Sequence, residues 1–410
     1  MGDETLSTQC CIAGGGPAGM MLGLLLARAG IDVVVLEKHT DFFRDFRGDT
    51  IHPSTLDLID QLGLRERFDA IPHNELARLD MVLNGTRVTP VNFDLLRRGN
   101  NRLAFMPQWD FLTMLSEAAV ELPNFRLIMD ADATGILRDG DAVTGMTATT
   151  PGVNLRISAA LTVAADGRDG TLRAASGLSI TEFGVPLDVL WFRLPRPRVN
   201  PPDTLGYITP ETLFITIPRT GYYQTAMIIP KNGFDAVKRA GLPEFREKLA
   251  HWVPFLAPVT PAVKSWDDVK LLSVQINRLA RWYLPGFLCI GDAAHAMSPA
   301  FGVGINYAIQ DAVASANLLV GPLRAGTLAE ADLARVQKRR ARPVARMQSL
   351  QLALHNAIGR PGGGAILPSP LPWPLRALLR VAIPPLRLVT AHLLGRGFRP
   401  ERISRAVLGD

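Results

Sequence analysis

Apolar positions along the chain fall into short runs whose period switches between that of a strand and that of a helix. Gln9–Ala13 reads as a short apolar strand and Gly14–Gly19 as a glycine-rich turn. Pro17–Ala29 reads as an apolar helix rich in small residues, with Gly30 where a left-handed C-cap belongs. Ile31–Leu36 is β-branched without alternation, as in a strand buried on both faces. Together these predict a βαβ unit with a right-handed crossover. Asn84-Gly85 between apolar runs predicts a hairpin. A helix is expected over Asp110–Leu122, and strands over Phe125–Met129, Leu137–Thr147 and Leu155–Ala165. Strands dominate from Leu187 to Pro230: Val189–Leu194, Leu213–Ile217 and Tyr222–Ile229, with Thr220-Gly221 turning between the last two. Phe245–Val253 reads as a helix, Gly286–Ile290 as a buried strand, and Asn306–Leu319 and Leu333–His355 as helices. Nucleotide-type elements at both ends with a β-rich insert between them predict an α/β fold with a discontinuous first domain.

At 410 residues the chain is long enough for two or three packed lobes. Lys and Arg exceed Asp and Glu by 44 to 38, an excess too small to argue for nucleic acid. Cys10, Cys11 and Cys289 make an odd number without framework spacing, which fits a reducing cytoplasm better than a disulfide-stapled secreted domain. The start, MGDETLSTQ, lacks the basic and apolar regions of a signal peptide, and no run of apolar residues is long enough to span a bilayer.

Gly14-Gly15-Gly16-Pro17-Ala18-Gly19 satisfies G-x-G-x-x-G between a strand and a helix. The first glycine permits the tight turn, the second lets backbone approach a pyrophosphate, and the third lets helix pack on strand. The helix N-terminus offers N–H groups and a positive dipole end to phosphates. Glu37, eighteen residues after Gly19, ends the second strand, where a carboxylate can take two ribose hydroxyls. Two later strands also end in small-plus-acidic turns. Leu161–Ala165 runs into Asp166-Gly167-Arg168-Asp169-Gly170, and Leu288–Ile290 into Gly291-Asp292-Ala293-Ala294-His295, with Pro299, Gly302, Gly304 and Asn306 beyond.

With these three ordered motifs the sequence resembles the class A flavoprotein monooxygenases, the group of p-hydroxybenzoate hydroxylase, from about Thr8 to Met347. The resemblance implies a Rossmann-like FAD-binding domain (1–75, 100–180 and 276–345), a β-sheet substrate domain (76–99 and 181–275) and a C-terminal helical segment (346–410). It implies that Gly14, Gly16, Gly19 and Glu37 bind the ADP half of FAD, with Pro17, Ala18 and Lys38 beside them. Arg47 and Gln108 match residues that touch the cofactor. Asp166 and Gly167 match a motif near the pyrophosphate linked to NAD(P)H use. Asp292 matches the acid holding the ribityl and phosphate region, and Pro299, Gly302, Gly304, Ile305 and Asn306 match the loop along the flavin ring. Ala165, Gly170 and Val303 depart from the family pattern, where glycine, serine and glutamine are usual. Pro361-Gly362-Gly363-Gly364 follows no strand, so no second dinucleotide fold is expected.

The activity implied is hydroxylation of an aromatic or polyketide-like small molecule by O2 through a flavin C4a-hydroperoxide, with NAD(P)H as transient reductant. The cofactor carries the chemistry while the protein orients substrate and excludes water, so neither a catalytic triad nor a metal is required. Pro299, Tyr222, Tyr223 and Gln224 are the candidates at the reacting centre. Tyr222 and Tyr223 cannot share one face of a strand, so one of them lines the flavin side. Trp191 and Phe192 pose the same choice. A reductase or oxidase on the same scaffold is the alternative, and a non-enzymatic FAD-binding, membrane-associated protein a further one. A halogenase is disfavoured because no Lys lies between Lys38 and Lys231. The arginine-rich tail from Ala365 to Arg402 reads as helices docked on the body with arginine stems reaching water. The alternative there is a peripheral membrane segment, opposed by prolines expected to break a long in-plane helix.

Overall fold

The computed structural model describes residues 2–43, 50–83, 85–198, 204–209, 212–219, 221–358 and 373–409. β1 (Gly2–Ala13), α1 (Pro17–Arg28) and β2 (Val33–Leu36) form the expected βαβ unit, with β1 and β2 parallel. β1 lies at the centre of the largest sheet. The strand order there is Tyr283–Leu284, Phe287–Cys289, Val153–Ala164, β1, β2, Phe125–Ile128. The pairs from Phe287–Cys289 to Phe125–Ile128 are parallel. α1 packs on the helices Gln108–Val120 and Gly304–Ala325. The four strand residues of β2 are all buried, as its lack of alternation requires. Gly30, at φ +78°, donates its N–H to the Ala27 carbonyl and ends α1 as expected.

β1 is longer than its apolar run. Apart from Leu6, residues 2–8 lack apolar side chains and are mostly exposed, so hydrophobicity gives little sign of them, yet they pair in register with Val153–Ala159. The single strand expected over Leu137–Thr147 is instead a hairpin of Asp132–Asp139 and Ala142–Thr150. Gly140 sits at φ +57° and turns the chain there.

A second sheet has seven strands in the order Lys270–Leu272, Leu187–Pro195, Tyr222–Pro230, Leu213–Pro218, Thr204–Ile208, Arg78–Leu83, Thr86–Asn92. Thr204–Ile208 pairs in parallel with Arg78–Leu83, which joins two stretches of chain more than a hundred residues apart. One face of this sheet packs Leu190, Phe192, Phe214, Tyr223 and Met227 against the helix Leu242–Trp252 and the turn Pro254–Ala262. The opposite face carries Trp191, Ile215, Ile217 and Ala226 toward the first lobe.

The proline-containing tail departs from expectation. Trp373–Gly395 is one helix of 23 residues that continues through Pro384 and Pro385. Both prolines are exposed, so carbonyls left without an N–H partner meet water rather than core. Pro374 sits in the first turn, where its missing N–H has no intrahelical partner to lose. The long helix Glu330–Ile358 likewise passes through Pro343.

Candidate active site

Register brings the three motifs to one edge. Ala13 pairs with Ala164, and Ala164 with Cys289, so the turns at Gly14, Ala165-Asp166 and Gly291-Asp292 leave the sheet side by side. This is the carboxyl edge, where parallel α/β sheets bind ligands. Gly14, at φ +105°, lies so close to the neighbouring turn that a Cβ there would stand 2.4 Å from the Ala165 carbonyl oxygen. At Gly19 a Cβ would be 2.0 Å from the Gly14 oxygen. Gly16 is different: a Cβ on it meets nothing within 4 Å. Gly16 also starts α1, Pro17 and Ala18 follow it, and no side chain caps the helix. The carboxylate of Glu37 accepts the N–H groups of Gly15 (3.0 Å) and His39 (3.1 Å), which fixes it beside the turn. Lys38 is exposed next to it.

Asp166 Oδ2 accepts the Leu172 N–H at 2.7 Å, while Oδ1 is buried without a protein partner among the described residues. Gly167, at φ +87°, has open space where a side chain would be. The Asp166 carboxyl fills the place of a side chain at position 170: a Cβ on Gly170 would be 2.1 Å from its Cγ, which gives the departure from serine a steric meaning. Arg173, 3% exposed, donates to the carbonyls of Arg168 (2.7 Å) and Asp292 (3.4 Å) and to Asn277 Oδ1 (2.9 Å), coupling the two later turns. Burial pushes the Asp166 carboxyl up to about 6 despite hydrogen bonds that lower it. Its ordinary value is 3.8, so between about pH 4 and 6 the folded apoprotein holds a proton that the unfolded chain has released. Stability of the flavin-free protein is therefore expected to fall by about 3 kcal/mol across that interval from this group alone. Urea unfolding of Asp166→Asn apoprotein is expected to lack that step; an unchanged pH slope would count against it.

The stretch from Phe287 to Ser298 is buried except for Asp292, whose side chain stands out at the sheet edge. Behind it lies a buried charge network that the sequence reading did not include. Asp311, fully buried, accepts from His295 Nε2 (2.5 Å), the Gly291 N–H (3.1 Å) and Arg340 Nε (2.9 Å). Burial alone would raise the Asp311 carboxyl, but the charges and hydrogen bonds of His295 and Arg340 hold it below the usual carboxylate range. Arg340 reaches on to Glu401 (3.3 Å), which Arg339 grips with two hydrogen bonds. Asp311 is the one charge in the apolar helix segment 304–323, and that was the available signal. Gln348, Gln351 and His355 were also missed. Gln351 accepts from the Ser298 N–H and donates to the carbonyls of Ser298 and Ala300, so one helix turn clamps the loop that starts at Pro299. His355, pushed down to about 4 by burial, meets Ser298 Oγ at 2.8 Å.

In that loop Pro299 is half-buried, and Phe301 has φ +69°, a left-handed conformation that costs a non-glycine residue about 1 kcal/mol or more. Gly302 is close-packed on Thr50, whereas Gly304 is open and begins an uncapped helix. Ile305 is buried. Asn306 accepts from the His52 N–H and Thr55 Oγ1 and donates to the carbonyls of Thr50 and Gly302, so its amide locks the loop to its neighbours. Phe301 packs both on the first core and on the cluster of Leu103, Phe105 and Ile217 that Trp191 and Ile215 also meet.

Gln108 opens the helix Gln108–Val120 and is half-exposed. Arg47 lies outside the described residues. Of the strand candidates, Tyr223 faces the outer cluster, away from the loop, with its ring near Phe255. Alternation puts Tyr222 and Gln224 on the inner side. Arg193 lies over the Tyr222 ring at 5.3 Å, and Gln224 donates to the Phe192 carbonyl.

A family model described as an FAD binding domain matches residues 7–349. Over 363 residues the chain is 31% identical to 6-methylpretetramide 4-monooxygenase of Streptomyces rimosus, covering 86% of this chain and 85% of that one. The chain belongs to the class A flavoprotein monooxygenases. This monooxygenase is FAD-dependent, and NAD(P)H is the reductant typical of its family. It is also 28% identical over 347 residues to the 12-dehydrotetracycline 5-monooxygenase/anhydrotetracycline 6-monooxygenase of Streptomyces rimosus subsp. rimosus, covering 82% of this chain and 66% of that one. The fold matches the OxyS anhydrotetracycline hydroxylase from Streptomyces rimosus (TM-score 0.72, 24% identity, 95% of this chain and 76% of that one). It also matches p-nitrophenol 4-monooxygenase PnpA from Pseudomonas putida (TM-score 0.74, 19% identity, 97% and 100%). The residues of this flavoprotein fit the cofactor: a side-chain-free opening at Gly16, two uncapped helix starts, an outward Asp292 and an orphaned Asp166 Oδ1 meet at one edge. Among the described residues no helix is long and apolar enough to cross a membrane.

Proposed function

We propose that this monooxygenase hydroxylates a phenolic, fused-ring aromatic of polyketide type, bound between the loop 299–304 and the inner face of the seven-stranded sheet. The observation that carries this reading is Phe301, which joins the flavin loop to an apolar wall of Trp191, Ile215 and Ile217. The Streptomyces relative named for 6-methylpretetramide supports the substrate class. Reduced FAD, when bound, supplies the activation of O2. The chain's part is binding and exclusion of water. Gly14, Gly16, Pro17, Ala18, Gly19, Glu37 and Lys38 hold the ADP half, and Asp166, Gly167 and Asp292 hold the pyrophosphate and ribityl region. Gln108 touches the cofactor, and Pro299, Gly302, Gly304, Ile305 and Asn306 shape the backbone along the ring. Residues 1–75, 100–180 and 276–345 form the FAD lobe, and 76–99 with 181–275 the substrate lobe. Tyr222 and Gln224 contribute to the substrate side. The buried Trp191 Nε1–H has no protein acceptor among the described residues and is placed to meet a substrate oxygen.

The test is turnover of a panel of simple and fused-ring phenols with NADH or NADPH under isotopically labelled dioxygen. One labelled oxygen atom in a fused-ring product supports the proposal. Reductant oxidation that yields only hydrogen peroxide with every fused-ring phenol would sink it. Trp191→Ala is expected to raise KM about tenfold and to divert reductant into peroxide while flavin content stays unchanged, because a buried aromatic wall is lost without touching the FAD cradle. Unaltered KM and coupling would remove Trp191 from the site.

A further inference from the structure

The ring of His52, 2% exposed, stands between two pieces of chain that are far apart in sequence. Its Nδ1 faces the carbonyl of Leu394, in the last turn of the helix Trp373–Gly395. Its Nε2 faces the carbonyl of Gly302, in the loop 299–304, at 3.1 Å. The two pieces also share an apolar contact, since Ala391 and Leu394 lie in the cluster on which Phe301 packs.

Both neighbours are acceptors, and a neutral imidazole carries one N–H. Burial pushes the His52 ring below its ordinary value of 6.5, so near pH 7 it is neutral and donates to one carbonyl at a time. The two carbonyls differ in their alternatives. Gly302 also accepts from Asn306 Nδ2 at 3.2 Å. Leu394 ends a helix, and the N–H groups that follow it are committed elsewhere. Those of Arg396 and Gly397 go to the His392 and Leu393 carbonyls, and that of Phe398 goes to the Tyr307 hydroxyl. A hydrogen on Nδ1 therefore gives each carbonyl a donor, but turns the Nε2 lone pair toward Gly302. A hydrogen on Nε2 adds a second grip on the loop and leaves the Leu394 carbonyl stranded. The tail end has a separate anchor in Arg396, which pairs with Asp57 and donates to the carbonyls of Arg98 and Asn100.

We propose that His52 is a positioning residue that commits its one hydrogen either to the tail helix or to the loop 299–304, so that the seating of the tail sets how firmly the loop is held. This rests on the placement of that loop along the flavin ring given under the proposed function. With the tail seated, the hydrogen sits on Nδ1 and caps Leu394. With the tail loosened, it moves to Nε2 and grips Gly302.

The test combines FAD titration of the full-length apoprotein with NMR of the histidine ring nitrogens, the His52 signal being assigned by its loss in His52→Leu. The parent is expected to show His52 with hydrogen on Nδ1. Arg396→Leu removes the tail anchor without touching the loop. It is expected to move the hydrogen to Nε2 and to lower the FAD dissociation constant about threefold, because a loop already held loses less freedom on binding. In the His52→Leu background the same substitution is expected to leave FAD affinity unchanged. An Arg396→Leu effect that is absent, reversed or equal in both backgrounds overturns the proposal, as does a ring hydrogen that stays on Nδ1. Asn306→Ala tests the premise separately, since it cuts the loop free without involving the tail, and is expected to weaken FAD binding about tenfold. Weakening there with no response to Arg396→Leu overturns the role of His52 alone, whereas unchanged binding in Asn306→Ala removes the loop from the flavin and the proposal with it.

Discussion

Gly14→Ala is expected to yield a colourless, less stable protein, whereas Gly16→Ala is expected to yield a stable one that binds FAD poorly. The difference lies in what each added methyl group meets. At position 14 the Cβ would be 2.4 Å from the Ala165 oxygen and 2.7 Å from the Ala165 carbon, both backbone atoms that cannot rotate away. The ends of β1 and Val153–Ala164 would have to part, although the Ala165 N–H donates to the Ala13 carbonyl at 2.8 Å. The φ of +105° adds strain of about 1–3 kcal/mol for a residue with a side chain. Together these weaken FAD binding by at least about a hundredfold and lower the melting temperature. At position 16 the methyl meets only the space assigned to the pyrophosphate, so affinity falls while apoprotein melting stays unchanged. Visible flavin absorbance per protein, with calorimetry of both apoproteins, reads the two effects separately. Equal melting losses in both variants would contradict the division of roles.

Asp311→Ala is expected to destabilise the folded protein by about 3–5 kcal/mol, because it strands Arg340, 1% exposed, and His295, 1% exposed, in the interior. It also frees the Gly291 N–H immediately before Asp292, so flavin is lost at lower denaturant than in the parent. Adding Arg340→Met is expected to recover part of the loss, since the uncompensated charge then disappears as well. Strict additivity of the two substitutions in urea unfolding would show that the pair does not act as a unit. The pH dependence has a definite sign. The folded-state value of Asp311 is depressed, so its stabilisation is complete above the unfolded value near 4 and lost as pH falls through the folded one. The Ala variant is expected to lack that acid-side loss.

The βαβ unit and the three motif turns were legible because each rests on local signals: apolar runs, glycines and acids at strand ends. Most of what escaped was set by tertiary partners. Residues 2–8 carry no apolar pattern, and only their pairing with Val153–Ala159 makes them a strand. The hairpin at Gly140 was read through as one strand, although Asp139-Gly140-Asp141 interrupts the run with a turn signal of the same kind as Asn84-Gly85. Arg340 stands among several cations between Arg335 and Arg346, and nothing in the sequence marks its partners, Asp311 and Glu401, 29 and 61 residues away. Gln348 and Gln351 have no sequence signature, since a glutamine clamp is defined by the carbonyls it reaches. The tail misled in the other direction: prolines read as breaks were tolerated because their faces are wet.

The interleaved order of the main sheet also dictates a timetable for the ribosome. Gly14 is made first and Asp292 follows 278 residues later, a delay on the order of tens of seconds at ordinary elongation rates. Until Phe287–Cys289 appears, the Thr162–Ala164 end of Val153–Ala164 keeps an unpaired edge, and the glycine turn waits without its opposing carboxylate. Loading of the cofactor therefore follows synthesis of the entire seven-stranded lobe, and a nascent chain of this protein spends that interval in need of protection rather than of flavin.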